Sequence, residues 1–288
     1  MKKKLVISEK ANNFLLAVDA VFKESTHENE DLAIKAFKNL DEVDKLYVIN
    51  HKDQLDNTIL LEASCHNERF SIELVKLGFN INAFNVNGKS VLINAIQNEH
   101  FKLIDILLDY GVDVNYARMK SYLSGERTGS SALMFASEKG QYEVVEKLIN
   151  KNADVKYMND MGQYAALYAI GKKDEHLKCF NLLIKADGSI AKRLDNIGYG
   201  VMEKIIKFGT IDFVPLAIDN GAYNDRVYLQ ICDYIDRNVG FYSGQNELKN
   251  SREEAREIAA FISTYTKMKN LENNLEKNQT NFSKKIKL

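Results

Sequence analysis

Five histidines and three cysteines give this sequence its widest chemical reach. A metal site needs ligands that converge, which on a helix means positions three or four apart. No two of His27, His51, His66, His100 and His176 stand at that spacing, and Cys65 and His66, being adjacent, point in different directions. Each histidine is therefore given a structural role. Cys65, Cys179 and Cys232 are widely spaced and odd in number, which argues against a disulfide framework and against the CxxC spacing of zinc and redox sites; a reducing compartment is expected. A cysteine nucleophile needs a base beside it. Cys179 instead lies on the inward stripe of L-K-C-F-N-L-L-I, the place of a small buried hydrophobe. There is no G-x-S-x-G, no G-x-x-x-x-G-K-[ST] and no G-x-G-x-x-G, only Gly198-Tyr199-Gly200 inside a turn. Asp113 and Asp154 recur at one position of a repeated pattern, so turn structure accounts for them. The reactive side chains are dispersed, and no catalytic residue, cofactor or metal is expected.

The elements that position these residues are short amphipathic helices. The 288 residues are 45% hydrophobic and 27% charged, enough for a sizeable core, and a net charge of −1 gives no bulk attraction to nucleic acid or anionic membrane. The start, M-K-K-K-L-V-I-S-E-K, has a basic segment but an apolar run too short for a signal peptide, and no stretch is long enough to span a membrane. Ser8 is placed as an N-cap, followed by the stripe Phe14, Leu15, Val18, Val21 and Phe22. A second helix carries Leu32, Ala33, Ala36, Phe37 and Leu40, and a third Val43, Leu46 and Tyr47. The acidic cluster Glu28–Asp31 suits a helix start.

From residue 52 the sequence repeats. N-T-I-L-L-E-A-S from Asn57 aligns with K-S-V-L-I-N-A-I from Lys89 and S-S-A-L-M-F-A-S from Ser130. It aligns more loosely with Q-Y-A-A-L-Y-A-I from Gln163 and faintly with Y-G-V-M-E-K-I-I from Tyr199. The second halves align too: L-V-K-L-G-F-N-I-N, L-L-D-Y-G-V-D-V-N and L-I-N-K-N-A-D-V-K. Gly78 and Gly111 are 33 residues apart, as are Gly129 and Gly162. The clearest unit, Asn85–Asn115, reads as a turn at Gly88, a helix over 90–97, a helix over 101–110 and a stop at Gly111. A unit this short buries its apolar face only against copies of itself.

This pattern resembles the ankyrin repeat family, a turn plus two antiparallel helices with a T-P-L-H-x-A signature. The resemblance implies an all-α ankyrin-repeat solenoid of about five units with β-hairpin-type fingers. The expected division is an N-terminal helical cap at 1–51, repeats at about 52–84, 85–118, 119–158, 159–194 and 195–223, and a C-terminal cap and tail at 224–288. The departures are specific. The proline position holds Ile59, Val91, Ala132, Ala165 and Val201, and the histidine position Leu61, Ile93, Met134, Leu167 and Glu203. The fourth unit has extra residues near Lys172–Asp174, and the third begins with an insertion near Lys120–Arg127. Beyond the repeats, Val227–Ile235 reads as a covering helix and Gly240–Gly244 as a loop. Ser251 and Glu254 read as a capping box, and Ile258, Ile262, Tyr265, Met268, Leu271 and Leu275 as one packed stripe before a frayed tail from Lys277.

The resemblance implies recognition of a partner protein through the concave face and fingers of the stack. The contact positions before each first helix are Asn57, Lys89, Ser130, Gln163 and Tyr199. Those at its exposed end are His66, Gln97, Asn98, Glu138, Lys139, Lys172, Lys207 and Phe208. The elongated finger adds Arg118, Lys120, Tyr122, Glu126 and Arg127, with Tyr122, Tyr199 and Phe208 as anchors. Lys139, Lys172, Lys173, Lys204 and Lys207 share a surface, but acids are mixed among them, and nucleic acid is not the expected partner. A monomer acting in the cytoplasm is expected. The likeness to bacterial and viral ankyrin proteins extends this to effectors in a host cytosol, to immunity proteins masking a toxin and, as a different class, to an enzyme with its site in the terminal segments.

Overall fold

Ser8 accepts the Ala11 amide proton at 3.0 Å and starts α1 (Glu9–Lys23), as its position before an apolar stripe predicts. The computed structural model describes residues 7–117, 129–223 and 252–286. Thr26 caps α2 (His27–Lys38) and Asp41 caps α3 (Glu42–Ile49) in the same way. Phe14, Val18 and Val21 of α1 and Ala33 and Phe37 of α2 are buried. α3 departs from the expected stripe: Val43 and Leu46 face solvent, while Asp44 and Val48 are buried. The inward face is the i, i+4 pair Asp44 and Val48: Val48 is fully buried, and the Asp44 carboxylate accepts the Ser8 hydroxyl at 2.5 Å. The acidic cluster also does more than favour a helix dipole. Buried Glu30 accepts from Asn67 and pairs with Arg69, while Asp31 pairs with Arg69 at 2.8 Å, tying α2 to the first repeat.

Five helix pairs follow: α4 (Ile59–His66) with α5 (Glu68–Lys76), α6 (Val91–Gln97) with α7 (Phe101–Asp109), and α8 (Ala132–Lys139) with α9 (Tyr142–Asn150). The last two are α10 (Ala165–Tyr168) with α11 (Asp174–Ala186) and α12 (Val201–Phe208) with α13 (Phe213–Asp219). In the first three, a hydroxyl starts the first helix: Thr58, Ser90 and Ser131 accept the amide protons of Leu61, Ile93 and Met134. Those acceptor-facing residues occupy the histidine position, and all three are buried, as their apolar character predicts. Tyr164 and Gly200 cannot cap in this way. α10 is a single turn of 4 residues, and α12 is closed by Glu203, whose carboxylate accepts the Gly200 amide proton at 2.9 Å. The extra residues near Lys172–Asp174 lie between α10 and α11. Gly78 and Gly111, at φ 87° and 77°, stop α5 and α7 in the left-handed conformation that glycine adopts without strain.

The chain forms two compact units, Met1–Ala136 with Asn150–Ala153 and Ser137–Ile149 with Asp154–Leu288. In the first, the rings of Phe14, Phe37 and Phe79 pack in sequence at 5.5 and 5.3 Å. Asn94 donates to the Leu61 carbonyl and the Ser64 hydroxyl, both at 3.1 Å, a buried polar link from α6 to α4. In the second, Phe180 meets Phe213 edge-on at 5.5 Å, and the fully buried Tyr164 donates its hydroxyl to the Arg193 carbonyl at 2.8 Å. A helix of 35 residues, α14 (Arg252–Ile286), packs on α12 and α13 through Ala255, Ile258 and Ile262. The stripe expected to be uniformly packed is buried only in this first part. Tyr265 reaches Asp219, and Met268, Leu271 and Leu275 are exposed. The helix also continues through the segment expected to fray. Among the described residues the fingers carry isolated antiparallel bridges, Lys52 with Thr58 and Phe84 with Ser90, rather than strands.

Candidate protein-binding surface

Each described finger turn is built on one side-chain oxygen. Asp53 Oδ1 accepts the amide protons of Leu55 and Asn57, both at 2.8 Å, and Asn85 Oδ1 those of Asn87 and Lys89 at 3.0 and 3.1 Å. Asn159 serves Met161 and Gln163 at 3.0 and 2.9 Å, and Asp195 serves Ile197 and Tyr199 at 3.0 and 2.9 Å. The residue three after each anchor has positive φ: Asp56, Gly88, Gly162 and Gly198. An Asx oxygen thus holds the turn while the backbone reverses direction. Within the first unit the Val86 amide donates to the Leu55 carbonyl at 3.0 Å. Within the second, the Asn196 amide donates to the Met161 carbonyl at 3.1 Å, so successive fingers are laced together.

These turns decide what each expected contact residue can do. Tyr199 is exposed, and Lys89 is half-buried. Ser130 occupies the same position but is only 6% exposed. Asn57 accepts from Asn85 at 3.0 Å, and Gln163 accepts the Tyr168 hydroxyl at 2.8 Å, so both serve the scaffold as well as its surface. At the ends of the first helices, His66, Asn98, Lys139 and Lys172 are exposed and Gln97, Glu138, Lys207 and Phe208 half-buried. Lys172 is held 3.3 Å from Glu254 of α14. The ammonium groups of Lys204 and Lys207 lie 4.9 and 5.1 Å from the centre of the Phe208 ring. Arg118, Lys120, Tyr122, Glu126 and Arg127, the segment Val227–Ile235, the loop Gly240–Gly244 and Ser251 fall outside the described residues.

Several positions with a clear role were passed over in the sequence. Leu55, Met161 and Ile197 stand two residues after their Asx anchors and are exposed, Ile197 by 75%. For Met161 and Ile197 the signal is Asp or Asn three residues before a glycine; at Leu55 that glycine is replaced by Asp56, which takes the same positive φ. Glu68 is another: its carboxylate accepts the Lys102 and Leu103 amide protons at 2.8 and 3.2 Å, capping α7 from the preceding repeat, where His100 makes no capping bond. The expected turn role of Asp113 and Asp154 is present, since each accepts the amide proton two residues on.

Among the described residues the reactive groups do not converge. His176 and Cys179 are three apart on α11, but the His176 Nε2 is 3.0 Å from the Glu138 carbonyl, and Cys179 is buried with its thiol pushed up to about 12. A thiol so desolvated is a poor nucleophile and a poor ligand at neutral pH. Among the described residues no group of three or more His, Cys, Asp and Glu could hold a metal ion, and no helix is long and apolar enough to cross a membrane.

A family model described as ankyrin repeats (3 copies) matches residues 31–118 and 119–195, more than half of the sequence. The chain belongs to the ankyrin repeat family. Its fold is the all-α ankyrin-repeat solenoid expected from the repeat pattern. An ankyrin repeat protein of Acanthamoeba polyphaga mimivirus is 25% identical over 190 residues, 65% of this chain and 24% of that protein. The serine/threonine-protein kinase TNNI3K of Mus musculus is 37% identical over 84 residues, 27% of this chain and 10% of the kinase. The crystal structure of an ankyrin repeat domain from Acinetobacter baumannii AYE superposes with a TM-score of 0.58 at 22% identity, covering 75% of this chain and 100% of that one. The chain spans about a quarter or less of the length of these curated relatives. Ankyrin repeats generally mediate protein–protein interaction, and that class of function is the one the family supports.

Proposed function

We propose that this chain is a non-catalytic recognition module that binds a partner protein through its finger turns and the exposed ends of its first helices. The observation that carries this reading is the repeated fingertip. Leu55, Met161 and Ile197 offer apolar side chains to solvent from turns whose backbone is already fixed by Asp53, Asn159 and Asp195. A preorganised exposed apolar side chain adds binding energy without the cost of ordering a loop. Tyr199, two residues after Ile197, is the aromatic anchor of that fingertip. The residues Arg118, Lys120, Tyr122 and Arg127 extend the proposal to the long third finger.

The test is affinity capture by the full chain from the cytosol of its source, followed by reconstitution with the purified protein recovered. Ile197→Asp, Tyr199→Ala and deletion of residues 120–127 are compared with the parent chain. Loss of binding by the fingertip variants, with the circular dichroism spectrum unchanged, is the expected result. Retention of full affinity by all three variants overturns the fingertip reading.

A further inference from the structure

Three times in this chain an Asn or Asp precedes a glycine: Asn87-Gly88, Asp187-Gly188 and Asn220-Gly221. At such a pair the glycine nitrogen, with no Cβ beside it, can attack the carbonyl carbon of the preceding side chain. The three pairs are held differently. Lys156 lies 2.5 Å from Asp187 Oδ2 and the Ser189 amide donates to Oδ1 at 2.9 Å, and together they hold the carboxyl down at about 2. An ionised carboxylate is a poor electrophile, so this pair is inert. Asn220 is half-buried at the end of α13; its Nδ2 donates to the Leu216 carbonyl at 2.8 Å, and its Oδ1 lies against Gly188. Asn87 is exposed at the tip of the second finger, and among the described residues its carboxamide makes no hydrogen bond. Both glycine amides donate within their turns, Gly88 to the Asn85 carbonyl at 3.0 Å and Gly221 to the Ile218 carbonyl at 2.9 Å, so that cost is common to the two sites. What differs is the electrophile. Asn87 is free to rotate onto Gly88, whereas Asn220 must first break its bond to Leu216.

We propose that Asn87-Gly88 is a self-modification site, at which the second fingertip converts from a neutral asparagine to an aspartyl or isoaspartyl carboxylate. The Gly88 nitrogen gives its proton to solvent hydroxide and bonds to Asn87 Cγ, and the side-chain nitrogen leaves as ammonia. The cyclic imide so formed takes up one water. Opening at Cγ gives aspartate; opening at the backbone carbonyl carbon of residue 87 gives isoaspartate, with the main chain running through Cβ. One water is consumed and one ammonia released, and nothing is oxidised or reduced. The isoaspartyl form lengthens the main chain by one carbon between the amides of residues 87 and 89, which Asn85 Oδ1 accepts at 3.0 and 3.1 Å. One oxygen then no longer serves both amides, and the turn loosens. The new carboxylate stands two residues from Lys89, one of the surface positions of this finger. The effect on partner binding rests on the protein-recognition reading above; the reaction itself does not.

The test incubates the full chain in warm, mildly alkaline buffer and maps its peptides by mass spectrometry, reading each site as the replacement of an NH2 by an OH. The peptide carrying residue 87 converts and splits into two chromatographic forms, aspartyl and isoaspartyl. It converts about fivefold or more faster than the peptide carrying residue 220, the rate equivalent of the one hydrogen bond that Asn220 must first break. In urea the two sites react at similar rates, because only the folded chain distinguishes them. Asn85→Ala, which frees the turn, speeds conversion at residue 87 and leaves residue 220 unchanged. Asn87→Gln, whose longer side chain would close a larger ring, slows it. Amide hydrogen exchange at Lys89 rises as isoaspartate accumulates. Equal rates at residues 87 and 220 in the folded chain, a single aspartyl product, undiminished protection of Lys89 in the isoaspartyl chain, or an intact Asn87 in the folded chain while the chain in urea reacts overturns the proposal. If residue 87 converts while the fingertip variants leave partner capture intact, the recognition reading fails and this inference stands. If those variants abolish capture while residue 87 stays intact, this inference alone fails.

Discussion

Ile262 and Leu271 belong to one apolar stripe of α14, and substituting each by alanine separates them. Ile262 is 0% exposed and packed where α14 meets α12 and α13, whereas Leu271 is 64% exposed. Ile262→Ala removes three carbons from a buried site. At ~0.8 kcal/mol per buried methylene the transfer loss is about 2.4 kcal/mol. The unrelaxed cavity adds to it, bringing the expected cost to about 3–4 kcal/mol. Leu271→Ala removes the same number of carbons from a side chain already in water and costs less than about 0.5 kcal/mol. The chain has no tryptophan, so the readout is urea denaturation followed by circular dichroism, with amide hydrogen exchange over α12 and α13 as the local probe. Ile262→Ala accelerates exchange in both helices, and Leu271→Ala leaves them unchanged. Equal effects of the two variants, in either direction, would refute the placement of α14 on the last repeat.

Three further outcomes follow from the caps and the buried carboxylate. Ser90→Ala removes the hydroxyl that accepts the Ile93 amide proton and lowers stability by about 1 kcal/mol, measured as a shift in the urea midpoint at constant slope. Glu68→Ala removes the acceptor of the Lys102 and Leu103 amide protons and costs about 0.5–2 kcal/mol; exchange protection lost at those two amides is the specific readout. Burial pushes the Glu203 carboxyl above its ordinary range, with the Gly200 amide pulling the other way. A carboxyl raised in the folded state favours the fold while protonated, and that contribution is lost as pH rises from the ordinary carboxylate value through the folded one. Glu203→Gln is therefore more stable than the parent chain at neutral pH, and the two converge below about pH 4. A gap that widens on acidification would contradict the sign.

Periodicity made the helix pairs legible, because burying one face of a short helix leaves an apolar residue every three or four positions and a stop at glycine. It could not tell which part of a periodic face is covered. Ile258 and Ile262 look no different in sequence from Leu271 and Leu275; what separates them is where the last repeat ends, at Asp219, which Tyr265 reaches. In α3 the periodic residues Val43 and Leu46 are outside, and the face turned inward is the one that carries Val48 and Asp44, whose carboxylate accepts the Ser8 hydroxyl. Ser131 caps α8 while the adjacent Ser130 is covered, a difference the doublet Ser-Ser hides. The contact positions carried over from the family fall, for Asn57, Lys89, Gln163 and Tyr199, on the Asx-held turns. They named the residue four after each Asx anchor and passed over the residue two after it, because the anchor itself is not apolar and leaves no mark on a hydrophobic pattern.

That overlooked position explains how a repeat can keep its fold while its surface changes. At the residue two after the anchor, the backbone amide is committed to the Asx oxygen in Leu55, Asn87, Met161 and Ile197 alike. The side chain is not committed: three of the four are apolar and exposed, and the second is an exposed asparagine. Structural demand falls on the anchor, on the left-handed residue after the tip and on the cap at the start of the helix. The tip carries none of it beyond an amide that every residue but proline supplies. Substitution at the tip is thus nearly free of folding cost, whereas substitution at Asp53, Asn85, Asn159 or Asp195 loosens the whole turn. Residues that are exposed, apolar and energetically idle in the folded chain are where selection for a partner can act without opposition from stability, and Ile197 is the clearest of them.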